Sequence, residues 1–173
     1  MIGVLVFPDF QFLDAAGPIS VFEIAARLAG NPPSIRVLAE TPGPVRSSSG
    51  VEMLARGLKA AGTITTLIVA GGEGVDAAAK SRKMLAFVRA MARRGVRVAS
   101  VCSGAYMLAE SGLLDGRRAT THWRRTRQFL ARFPKVKWEP DQIFVRDGDI
   151  WSSAGITAGI DLALAMATED YGE

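Results

Sequence analysis

The chain contains one cysteine and one histidine. Cys102 stands in Ser100-Val101-Cys102-Ser103-Gly104, directly after the predicted strand Val96 to Val101 and directly before a helix-forming stretch. A strand that enters a helix through a tight turn, with small residues around one nucleophile, is the nucleophile-elbow arrangement. Ser100 occupies the place of that pattern's first glycine. A thiol at a helix N-terminus feels the positive end of the dipole, so the position predicts a bias toward thiolate. A lone cysteine can equally be a buried, inert small hydrophobe. His122 follows 20 residues later at a predicted helix start, either as an activator of the nucleophile or as a structural residue.

Two further positions belong to the same chemistry. Gly71-Gly72 closes the apolar run Thr63 to Gly72, and its backbone N–H groups could face an oxyanion or carboxylate, or simply form a turn. Asp14 follows the first apolar run and is read as a loop residue that either bonds the Cys102 thiol or caps a turn.

These residues need strands to hold them. Ile2 to Phe7 is a continuous apolar run of strand length, the pattern of a strand covered on both faces. A helix is predicted next, with Pro18 in its first turn and Ile19, Phe22 and Ala26 on its buried stripe. Ser34 to Glu40 is a second strand, and TPGPVRSSSG reads as turns leading to a short strand near Val51 to Leu54. One helix is predicted over Asp76 to Arg94, with Met84, Val88 and Met91 inward. After Cys102 a helix runs through Glu110. Thr120 or Thr121 is then read as the cap of a helix carrying Trp123, Phe129, Leu130 and Phe133 on one side. Strands near Gln142 to Arg146 and Ile150 to Ser153 flank the Asp147-Gly148-Asp149 turn. In the last helix, after Gly155, apolar residues from Ile156 to Met166 go round more than one face, which predicts burial of Leu162 and Met166. Alternating strands and helices imply a mostly parallel sheet between helix layers, with ligands at the carboxyl ends of its strands.

Composition narrows the classes. At 173 residues the chain fits one domain, and 49% hydrophobic residues with a net charge of +4 exclude disorder. One cysteine excludes a disulfide scaffold or a cysteine-rich zinc site, and one histidine excludes a two-histidine metal motif. No metal and no cofactor are expected. The N-terminus lacks the basic start and cleavage site of a signal peptide, and Ala154 to Ala167 is too short to span a membrane. A reducing, cytoplasmic setting is therefore expected, without a membrane partner. Basic residues cluster over Lys80 to Arg97 and Arg117 to Arg132, as a solvated face or as a nucleic-acid contact.

Four stretches, GVLVFPDFQFLDAAGPISVFE, LIVAGGEG, VASVCSGAYMLAESGLLDGRRATTHW and WSSAGITAGIDLAL, carry a family resemblance. The chain resembles the ThiJ/PfpI (class I glutamine amidotransferase-like) superfamily along nearly its whole length. It is most similar to the amidotransferase-like N-terminal domain of AraC-type transcription regulators. The resemblance implies a flavodoxin-like three-layer α/β sandwich with a nucleophile elbow, covering residues 1–173, and a homodimer. It implies Cys102 as the elbow nucleophile, Asp14 as its acidic partner and His122 beside the pocket. It further implies a ligand-binding set of Gly71, Gly72, Ser103 and Thr157, with Gly72 and Ser103 as backbone donors. Such regulators carry a helix-turn-helix region after this domain, and no such region follows before Glu173. The expected function is a sensing and dimerising domain for a small-molecule effector, contacting DNA only through that absent region. The rival is a cysteine-dependent enzyme of isonitrile hydratase or hydrolase type, and a third reading is a redox or reactive-carbonyl sensor. A positive φ at Cys102 is expected from the strained elbow.

Overall fold

The computed structural model describes residues 1–172. Among the described residues ten strands and six α-helices alternate along the chain. The central strands are β1 (Ile2–Leu5), β2 (Ile35–Ala39), β5 (Thr66–Val69), β6 (Arg97–Ser100) and β10 (Ile150–Ser153). With β3 (Gly43–Arg46), β4 (Glu52–Gly57) and β9 (Phe144–Asp147) they build an eight-stranded sheet in the order β3-β4-β2-β1-β5-β6-β10-β9. All neighbours pair in parallel except β3 with β4 and β10 with β9, so both antiparallel pairs lie at the edges. Every residue of β1, β5 and β10 is buried, as the continuous apolar runs of β1 and β5 require.

Strand order reverses at β1. The chain steps from β1 outward to β2, then returns to β5 and steps the other way to β6 and β10. Right-handed crossovers place the connecting helices of those two halves on opposite faces. One face carries α1 (Phe12–Leu28) and α6 (Ala158–Tyr171), which pack on each other, and α6 also contacts β10. The other carries α2 (Val75–Ala78), α3 (Arg82–Arg93) and α4 (Ala105–Glu110). The result is the flavodoxin-like three-layer arrangement. Its crevice lies outside the carboxyl ends of β1, β5 and β6, the strands that lead to Asp14, Gly71 and Cys102.

Several predicted elements are adjusted. Pro18 lies inside α1 rather than in its first turn, because the helix begins at Phe12. That earlier start also moves Asp14 from a loop into the first helical turn. The TPGPVRSSSG stretch contains a strand, β3, which pairs Val45 with Met53. An edge strand tolerates Pro44, whose missing N–H faces no neighbour. The single helix expected over Asp76 to Arg94 is two helices. Ser81 breaks it with an extended backbone and caps α3, its Oγ accepting from Met84 N at 3.2 Å. Met84, Val88 and Met91 face inward as predicted.

Neither Thr120 nor Thr121 caps a helix. Thr120 N donates to Ser152 Oγ at 2.9 Å, and a 3-10 turn over Trp123–Arg125 precedes α5 (Thr126–Arg132). Trp123 is exposed, whereas Phe129 is buried against Tyr106. A small parallel pair, β7 (Arg118–Ala119) with β8 (Lys137–Trp138), was not foreseen. In α6, Leu162 and Met166 are fully buried as expected, while Leu164 faces outward.

Candidate functional site

The elbow exists. Cys102 opens a 3-10 turn, Cys102–Gly104, with φ at +56°, a left-handed value that non-glycine residues seldom adopt. Two contacts hold this strained residue: Gly104 N donates to Val101 O at 2.9 Å, and Thr121 Oγ1 donates to Cys102 O at 3.1 Å. Small neighbours are obligatory. A Cβ on Gly104 would stand 2.4 Å from Val69 O, and one on Gly71 would stand 2.6 Å from Ser103 N. Both distances are far inside van der Waals contact with backbone, so β5 and the elbow approach each other through glycine alone.

The structure brings Asp14 and Cys102 close together. The Asp14 carboxyl is fully buried, takes the Gly71 N–H on Oδ2 at 3.0 Å, and stands close enough to the Cys102 thiol for each to shift the other's pKa. Its other oxygen, Oδ1, meets no partner of good hydrogen-bond geometry. Desolvation raises the Asp14 pKa to about 7, against the opposing pull of the Gly71 N–H and the thiol. The first turn of α1 favours a carboxylate by its dipole, yet burial is the stronger effect here.

Burial also governs Cys102. Its pKa is pushed up to about 12, by desolvation first and by the Asp14 charge second, while Ser103 and Arg125 pull the other way. The thiolate bias expected from the helix dipole is therefore overturned. The helix that follows the turn is only six residues long, and a buried sulfur beside a carboxyl loses more by desolvation than that dipole returns. At neutral pH the elbow holds a thiol.

Both anticipated glycine donors are occupied. Gly71 N–H serves Asp14, and Gly72 N–H donates to Ser103 Oγ at 2.9 Å. Ser103 Oγ returns a longer bond to Gly72 O at 3.3 Å. His122 is half-buried, and its Nδ1 accepts from Arg124 N at 3.3 Å. That bond leaves the proton of the neutral ring on Nε2, making His122 a donor toward its surroundings rather than a base. Desolvation and the nearby Arg124 and Arg125 charges hold its pKa below the ordinary histidine value, so the neutral ring prevails at pH 7. No hydrogen bond joins His122 to Cys102 among the described residues.

A pocket of about 350 Å³ opens over the elbow. Four of the anticipated residues line it: Gly72, Cys102, Ser103 and His122. Asp14 and Gly71 stand behind them. Thr157 is exposed and does not line the pocket, although its neighbour Ile156 does. The remaining wall is Gln11, Ser48, Glu73, Arg124 and Arg125. Arg124 and Arg125 were legible only as members of a basic run. Gln11 and Ser48 carried no signal, since Ser48 arrives from the β3–β4 hairpin and meets Gln11 across 37 residues of sequence. Among the described residues no group of three or more His, Cys, Asp or Glu side chains could hold a metal ion.

Comparison with known proteins places the chain in a family and agrees with the fold. The family model described as the DJ-1/PfpI family matches residues 1–169. An isonitrile hydratase of Pseudomonas putida is 36% identical over 99% of this chain and 72% of its own length. The HTH-type transcriptional regulator GlxA of Rhizobium meliloti is 34% identical over 99% of this chain, which spans only 53% of that regulator. The regulator CdhR of Pseudomonas aeruginosa is similar, at 31% identity over 97% of this chain and 50% of its own length. The chain thus spans about half the length of the regulators it matches. Among solved structures, a ThiJ/PfpI family protein from Pseudomonas syringae superposes with a TM-score of 0.84 at 33% identity, covering 97% of this chain and 67% of its own. An AraC family transcriptional regulator from Pseudomonas putida, at 21% identity and a TM-score of 0.86 over 99% of this chain and 92% of that one, shares the fold. The chain belongs to the DJ-1/PfpI family.

Proposed function

We propose that this chain is the effector-sensing and dimerising domain of an AraC-type transcription regulator, with a small metabolite bound over Cys102. DNA would be contacted by a separate helix-turn-helix region, as in the regulators it resembles. The state of the elbow carries this reading. The thiol keeps its proton, the Gly71 and Gly72 N–H groups are already bonded within the protein, and His122 is set as a donor. Such a site binds and positions a ligand more readily than it activates a nucleophile. The basic run from Arg117 to Arg132 is largely used within the domain. Arg117, Arg118, Arg125 and Arg132 each pair with a carboxylate of this domain. No helix of the described residues is long and apolar enough to cross a membrane, and a protein that keeps a free thiol suits a reducing cytoplasm. For dimerisation, the supporting surface is the groove between α1 and α6, where Ile24, Leu28 and Leu164 are exposed.

A second reading, a cysteine-dependent hydratase or hydrolase, is favoured by the 36% identical isonitrile hydratase and by Asp14, whose pKa near 7 suits proton transfer at neutral pH. One assay separates them. The purified domain is incubated with an alkyl isonitrile, and hydration to the N-alkyl formamide is followed. The sensor reading expects no turnover. Turnover that disappears in Cys102→Ala would overturn it in favour of the enzyme.

A further inference from the structure

Cationic and N–H donor side chains outnumber carboxylates around the pocket. Ser48 Oγ donates to Gln11 Oε1 at 3.4 Å, which occupies the Gln11 acceptor and leaves its NH2 group free. His122 spends Nδ1 on Arg124 N and keeps Nε2–H. Arg125 gives Asp76 one nitrogen at 2.8 Å and retains its other N–H groups. Arg124 has no carboxylate partner among the described residues, and its guanidinium lies over the Trp123 ring at 5.2 Å. Glu73, exposed, is the one carboxylate side chain in the lining. A carboxylate ligand would add charge-assisted hydrogen bonds to these groups, each stronger than a neutral one.

We infer that this pocket selects small molecules bearing a carboxylate, held by Arg124 and Arg125 with help from His122 Nε2–H and the Gln11 amide, and directed with their other end toward Cys102. Arginine suits this role, since its planar fork matches a carboxylate in geometry as well as charge. The field of these two arginines already reaches the interior: both depress His122, and Arg125 acts on the Cys102 thiol. A volume of about 350 Å³ sets the scale of the ligand to a small metabolite. The inference rests on the reading of the Cys102 pocket as the ligand site, and it opposes a neutral isonitrile as the preferred occupant.

Two nearly isosteric reagents test it, iodoacetate and iodoacetamide. Each alkylates the sulfur: the S–C bond forms, the C–I bond breaks, iodide leaves, and the thiol proton passes to Asp14 or water. Because Cys102 is the chain's one cysteine, intact mass reports it without ambiguity. The readout is the ratio of the iodoacetate rate to the iodoacetamide rate, since removing Arg125 also lowers the thiolate fraction seen by both reagents. In the double variant Arg124→Gln/Arg125→Gln the ratio should fall about tenfold, within the range expected for electrostatic focusing in a cleft. Arg124→Gln alone, at an exposed side chain without an ion pair, should give part of that fall and covers a folding defect in the double variant. Arg127→Gln, on the neighbouring helix and outside the pocket, should leave the ratio where it is. A ratio unchanged in the variants while both reagents still alkylate overturns the carboxylate inference and spares the pocket. Rates are taken at about pH 10, where the buried thiol still reacts despite its raised pKa. Failure of both reagents on the native protein there, with normal alkylation after denaturation, overturns the pocket itself and this inference with it.

Discussion

The Asp14 carboxyl and the Cys102 thiol share one buried corner at the carboxyl ends of β1 and β6, and their protons are coupled in opposite senses. The Asp14 charge raises the pKa of the thiol, while the thiol lowers that of Asp14. Desolvation outweighs both. The corner therefore avoids negative charge, whichever of the two groups would carry it.

Stability should fall as pH rises from about 4 to about 7. Asp14 in the folded chain holds its proton up to about 7, against a model value of 3.8, so the native state binds more protons than the unfolded one across that interval. The stabilisation is complete below the unfolded pKa and is lost as pH passes the folded one. Its full extent is on the order of 4 kcal/mol, as an upper figure for so buried a group. Urea unfolding of the wild type and of Asp14→Asn at several pH values measures the difference. The variant should lose most of the negative slope, and parallel curves would refute the assignment.

Cys102 should alkylate slowly at neutral pH and accelerate far into the alkaline range. Its pKa of about 12 lies well above the ordinary thiol value of about 8.5. In Asp14→Asn the negative charge is gone, so the midpoint of the iodoacetamide rate against pH should move down. A midpoint near that of glutathione in the wild type would contradict the burial seen here.

Gly71→Ala should be costly despite its size. The added methyl would meet Ser103 N at 2.6 Å, Ser103 Oγ at 2.8 Å and Asp14 Oδ2 at 2.9 Å. Backbone on one side and a strained turn on the other leave little room to yield, so a loss of about 2–3 kcal/mol is expected. The same change should also raise Cys102 reactivity, by loosening the elbow. Gly95→Ala serves as a comparison, since a methyl there meets nothing within 4 Å, although its φ of +75° carries a smaller strain of its own.

Leu28 is 84% exposed and Ile24 55% exposed on α1, beside Leu164 at 52% on α6. The double variant Ile24→Arg/Leu28→Arg should be monomeric by sedimentation velocity at concentrations where the wild type is dimeric. Its thermal midpoint, extrapolated to low concentration, should stay close to that of the wild type, because neither side chain contributes to the core. A wild type already monomeric at tens of micromolar would remove the dimer from the proposal.

The strands β1 and β5 were legible because a strand covered on both faces is apolar along nearly its whole length, whatever its neighbours are. The elbow was legible for a similar reason. A left-handed residue between a strand and a helix leaves room only for small neighbours, and Ser103 and Gly104 record that demand locally. Sequence therefore determined the parallel sheet, the crevice, and Cys102 as its centre. It misjudged the short-range signals that tertiary contacts override. Pro18 is tolerated within α1, and β3 forms because β4 supplies its hydrogen bonds. Thr121, which looks like a helix cap, is drawn instead to the Cys102 carbonyl.

Protonation was the part that only the folded structure decided. A helix start suggested thiolate, but the pKa of a buried group depends on how much water and charge remain around it, and these arrive from distant segments. Asp14 and Gly71 come together across 57 residues, and Arg125 reaches the elbow from beyond β7. The pocket wall has the same origin. Gln11, Ser48 and Arg124 come from three separate loops, and their donors converge only because the sheet brings those loops to one end. Desolvation and convergence are properties of the packed whole, and no local window of sequence contains them.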